Sequence, residues 1–135
     1  MKQRFSSHTT LIELAAALLC FLLASVIILG LFSKADALSR HSERLCQAAM
    51  LAQDCVERIA GSDDAALALE QAGYARSGRV MQRLDDSGLM VEAELDEEQT
   101  EVGTLLFAQI RVFFGEEELV ILPAARYYNK EVMRP

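Results

Sequence analysis

Glu13 stands immediately before Leu14–Ser33, a run with no charged residue. A carboxylate at the edge of hydrocarbon is costly when ionised and unpaired, so a cationic partner is expected. Thr10-Leu11-Ile12-Glu13 also fits a capping box, with Thr10 as N-cap and Glu13 reaching back to its backbone N–H. An acid in the first turn suits the positive end of the helix dipole.

The other residues capable of chemistry do not assemble into a catalytic set. His8 and His41 are the only histidines and are expected on opposite sides of a membrane, so they form no metal pair. Cys20 falls inside the apolar run and reads as a small apolar residue. Cys46 and Cys55 are expected on one helix, about 13 Å apart along its axis. They point to nearly opposite faces, so they cannot bridge each other. Each reads as a buried helix residue, with an intermolecular disulfide as the alternative. Between Asp85 and Glu101 lie eight acids and no base. Asp96, Glu97, Glu98 and Glu101 could gather around Ca²⁺, but their spacing matches no EF-hand and a solvated acidic surface is the plainer reading. No Gly-rich phosphate loop or nucleophile–base pair is visible. The expectation is a protein that is not an enzyme, with no cofactor and no metal.

These residues are positioned first by the apolar run. As a helix rising 1.5 Å per residue, Leu14–Ser33 spans roughly 30 Å, the thickness of a hydrocarbon core. Its large apolar residues occur all round, which indicates a spanning helix rather than a surface one. Lys2 and Arg4 precede it, while Lys34, Asp36, Arg40 and Glu43 follow with mixed signs. The positive-inside rule then places the N-terminus in the cytoplasm and the C-terminal domain outside. A signal peptide cut at Ala35-Asp36-Ala37 is the rival, though its apolar region would be unusually long. A lipoprotein signal at Cys20 is disfavoured by Leu19. The chain carries a net charge of −7 and no tryptophan, and the part beyond Ser33 is acidic, so no nucleic-acid partner is expected.

At Thr10-Leu11-Ile12-Glu13-Leu14 the sequence resembles type IV pilins and the pseudopilins of type II secretion and DNA-uptake systems. Their precursors carry a short basic leader ending in glycine, then phenylalanine, T-L-I-E-L and a long apolar helix. Lys2 and Arg4 resemble that leader. The resemblance implies a prepilin peptidase that cuts after the leader and methylates the new amine. It also implies subunits that leave the lipid and pack into a filament on an assembly platform. In that packing the motif glutamate lies beside a neighbouring subunit's amine. Carried over, Glu13 is the assembly residue and His8–Thr9 the candidate processing site. His8 stands where the family has glycine and Thr9 where it has phenylalanine. Glycine lacks Cβ and lets a backbone approach closely, so His8 is expected to block or slow the cut. A minor pilin-like or pseudopilin-like structural subunit is therefore expected, in the cytoplasmic membrane or a cell-surface filament, among other pilin-like subunits. The alternative is a single-pass anchored binding or adaptor domain that does not polymerise.

The expected organisation is a leader-like segment over 1–8, a membrane helix over 9–33 and an extracytoplasmic α+β domain over 34–135. The helix is expected to run from about Thr10 to Ala60. Leu38, Ser42, Leu45, Ala49, Ala52, Val56 and Ile59 form one apolar face, and Gly61 supplies a C-cap. Gly30 reads as a residue permitting close helix packing. Ser62 is expected to cap a short helix through Gln71, stopped by Gly73, with a loop over 73–78. Four antiparallel strands follow, at Arg79–Leu84, Leu89–Leu95, Thr104–Phe114 and Glu118–Leu122, with an acidic loop over 96–102. Pro123 marks an edge or a break. The expected fold class is α+β, a long N-terminal helix packed on a small antiparallel sheet in the pilin-like manner.

Overall fold

The computed structural model describes residues 2–129, with side chains described from His8 onward. The charges of Lys2 and Arg4 lie outside the described side chains. The described residues fall into two compact units that part after Ser42. Helix α1, Lys2–Gly61, contributes to both. The second unit adds α2, Ala65–Gln71, and five strands. These are β1 Ala75–Ser77, β2 Val80–Leu84, β3 Leu89–Gln99, β4 Gly103–Phe114 and β5 Glu117–Asn129. They form one antiparallel meander in the order β1-β2-β3-β4-β5. The fold is α+β, with the end of the long helix packed on the sheet.

The core follows the period-2 pattern of the strands. Leu89, Val91 and Ala93 on β3 and Leu106, Ala108, Ile110 and Val112 on β4 are buried together with Ala48, Ala52, Cys55 and Ile59 of α1. The buried helix face is rotated from the expected one. Ala48 and Cys55 belong to it, whereas Ala49, Ser42 and Leu38 are exposed. Ala48 and Ala52 present small side chains to this buried face. Apolar spacing alone could not choose among neighbouring residues on so alanine-rich a face.

The sheet is larger than the expected four strands. Ala75–Ser77, expected as loop, pairs with Ser77↔Val80 through Ala75↔Gln82 as β1. Asp96–Gln99, also expected as loop, continues β3 and pairs with Thr104–Phe107. Pro123 does not end the fourth hairpin strand, since β5 runs on through Asn129. Its place on an edge strand fits a residue with no N–H to donate.

The turns explain the ends. Asp64, not Ser62, caps α2, its Oδ1 accepting from Leu67 N–H at 3.1 Å. At the other end Tyr74 N–H donates to Leu69 C=O and Gly73 N–H to Glu70 C=O, both at 3.0 Å, with Gly73 at φ 91°. That is a Schellman closure, with Tyr74 and Leu69 buried as its apolar contact. Gly61 has no positive φ, so it is not a left-handed cap for α1. Arg126 of β5 instead donates from Nη1 to Ile59 C=O at 2.9 Å and to Ser62 C=O. Its guanidinium also lies 4.7 Å from the Tyr128 ring centroid. A cation thereby meets the unsatisfied carbonyls at the helix end.

Two predictions follow from this core. A side-chain carbon on Gly103 would meet the Tyr128 backbone oxygen and sit 2.7 Å from the Tyr127 hydroxyl. Gly103→Ala is therefore expected to destabilise the sheet unit by about 1–3 kcal/mol. Gly30→Ala, with open space around it, should leave denaturant midpoints of that unit unchanged. Burial also pushes the Cys55 thiol from 9.0 up to about 11 and raises the Tyr74 hydroxyl beside it. A folded-state pKa above the unfolded one gives stability that is complete below the unfolded value and lost as pH rises. The melting temperature should thus stay level up to pH 9 and fall between 9 and 11. Cys55→Val should flatten part of that fall.

Candidate functional site

The motif residues sit within α1. Because the helix opens at Lys2, Thr10 lies about two turns inside it. Thr10 is therefore not an N-cap, and Glu13 is not in the first turn. The expected capping box is corrected for that reason: the backbone ahead of Thr10 is already helical. Thr9 and Thr10 each have an interaction partner. His8 and Thr9, the candidate processing junction, are exposed and helical, so an extended substrate conformation there requires local unwinding.

Glu13 is exposed and has no ion pair among the described residues. Leu11, Ile12 and Leu14 around it are each more than half exposed. Thr9 precedes Glu13 by four residues and so shares its helix face. The arrangement can do one thing chemically: present a carboxylate, at the head of an apolar helix, to a cation brought from elsewhere.

The residues behind it set the dielectric. Helix α1 is the one helix among the described residues long and apolar enough to cross a membrane, with a mean hydropathy of 2.8 over its best stretch. None of that stretch is buried within the chain. Phe21, Val26 and Ile27 show it on three different sides, at 69%, 67% and 64% exposure. The Ser25 hydroxyl donates to Phe21 C=O at 2.8 Å, so its proton needs no partner outside the helix. Beyond the run, Asp36 and Arg40 form an exposed ion pair at 3.1 Å.

The remaining chemical candidates are not brought together. His8 and His41 lie far apart along α1 and both are exposed. All three cysteines are free, and Cys46 is exposed while Cys55 is buried. Burial of Cys46 is thus corrected: the covered face of α1 holds Ala48, Ala52 and Cys55, and Cys46 faces away from it. Asp96, Glu97 and Glu98 alternate sides along β3 instead of converging in a loop. Among the described residues no group of three or more His, Cys, Asp or Glu side chains could hold a metal. Sequence reasoning overlooked Arg126, whose targets lie more than sixty residues earlier. Compared with family models, with curated proteins and with solved structures, this chain finds no match.

Proposed function

We propose that this chain is a pilin-like or pseudopilin-like structural subunit, a minor component of a type IV pilus, type II secretion or DNA-uptake machine. It performs no catalysis. The run Leu14–Ser33 holds it in the cytoplasmic membrane, with Lys2 and Arg4 inside and the sheet unit outside. The observation that carries the reading is Glu13, an exposed carboxylate with no ion pair among the described residues, set against an apolar helix exposed on every face. The matching T-L-I-E-L residues, Thr10 to Leu14, support it.

In this reading the partner of Glu13 is a cation on a neighbouring chain. A cut between His8 and Thr9, which the His8 side chain slows, creates that cation as the Thr9 amine, with or without a methyl group. In low dielectric, removing one member of such a pair leaves a charge uncompensated at a cost of several kcal/mol. The second reading, a single-pass anchored adaptor that never polymerises, is favoured by His8, which has a side chain where the family has none. In that case the chain stays uncut and Glu13 remains at the lipid–water boundary.

Glu13→Ala separates the two. For a filament subunit, membrane insertion persists while incorporation into filaments or co-purification with other pilin-like subunits is lost. For the adaptor, nothing changes in either measurement. Intact mass of the native membrane protein reports the junction directly. A species beginning at Thr9 assigns Glu13 its interchain role, and one retaining His8 favours the adaptor.

A further inference from the structure

The outward face of the sheet is divided along its length. On β5 it is apolar through Ile121, Pro123, Ala125 and Tyr127, and Leu105 and Phe107 of β4 join it, whereas Gln109 and Arg111 continue the β4 row beside Pro123 and Ile121. Register places Leu105 beside Tyr127 and Phe107 beside Ala125. Phe107, Ile121 and Tyr127 are about half exposed, at 46%, 50% and 48%. An apolar row along β5, widened by Leu105 and Phe107, marks an interaction surface rather than scattered exposure.

On β3, one strand away, the same face is acidic. Glu92, Glu94, Asp96 and Glu98 point outward in alternate positions, with Glu98 beside Leu105 and Asp96 beside Phe107. Arg111 pairs with Glu94 at 3.4 Å and Arg79 with Asp96 at 3.2 Å. Glu92 accepts from Gln82 at 2.7 Å. Glu98 has no ion pair among the described residues, and the row keeps a negative excess.

We propose that this divided face docks an amphipathic helix of a different protein, one with lysine or arginine along the flank of its apolar stripe. The dimensions suit it. Ile121 to Tyr127 covers roughly 20 Å of strand, the length of about thirteen helical residues. Strands lie about 4.8 Å apart, so a helix centred over β4 and β5 carries its flank above β3. A sheet face offers no backbone hydrogen bonds, and a helix satisfies its own. Strand addition at the β5 edge is opposed by Pro123, which has no N–H to donate. An anionic bilayer is repelled by the acidic row. A second copy brings the same row and the same net charge of −7. The proposal does not depend on whether the chain polymerises.

The test uses the full-length protein in its native membrane with photoreactive benzoylphenylalanine in place of Phe107, and in place of Gln71 on α2 as control. The expected adduct joins position 107, not 71, to a basic amphipathic helical segment of another protein. Asp96→Lys with Glu98→Lys should lower its yield about tenfold at an unchanged melting temperature. If that pair melts early, Asp96→Asn with Glu98→Gln should show a smaller loss in the same direction. An adduct to lipid, to a second copy or to an acidic or non-helical segment overturns the proposal. So does the absence of any adduct, or a yield that charge changes do not move.

Discussion

The helix segment Leu14–Phe32 is apolar on every side, and its side chains are exposed among the described residues. Burying such surface is favourable by about 25 cal/mol per Å², and the segment is long and apolar enough to cross a membrane. That constraint sorts the polar groups near it. Ser25 turns its hydroxyl back to the Phe21 carbonyl and adds no unmet donor. Glu13 has no such internal solution among the described residues. It lies at the rim of the run, where water, a headgroup or another chain can reach it.

Further along α1 the demand on the sequence reverses. From Leu45 onward one face is covered by the sheet, and the residues there become small or compact: Ala48, Ala52, Cys55, then Ile59. The alanines leave room on the helix face, and Ile110, Val112, Val91 and Leu106 fill it. The end of α1 is held by Arg126, which supplies donors to Ile59 and Ser62. Arg44, 4.2 Å from the Phe114 ring centroid, adds a second contact between the helix and the sheet.

Much of this was legible in the sequence because its signals are local. The apolar run, the period-2 alternation of Leu89–Leu95 and Thr104–Phe114, and the stop at Gly73 each reside in a few neighbouring residues. Whatever depended on distant partners was not legible. β1 exists because Ala75–Ser77 finds Val80–Gln82, and β3 extends through Asp96–Gln99 because Thr104–Phe107 pairs with it. Four polar residues in a row resemble a loop until a partner strand supplies their hydrogen bonds. The capping box at Thr10 failed for a related reason: a local motif does not report whether the chain before it is already helical. At the candidate site, Glu13 and its exposed apolar neighbours could be read from the sequence, whereas the helical backbone ahead of Thr10 could not.

The native cysteines offer the most direct test of a membrane-held chain with its sheet unit outside. Intact spheroplasts would be treated with a bulky, membrane-impermeant maleimide, and labelling read by mass at each cysteine. Cys46, exposed beyond the apolar run, should be modified. Cys20, within the run, should be protected by lipid, and Cys55 should react only after unfolding. Modification of Cys20, or labelling of Cys46 only once the membrane is opened, would contradict the account.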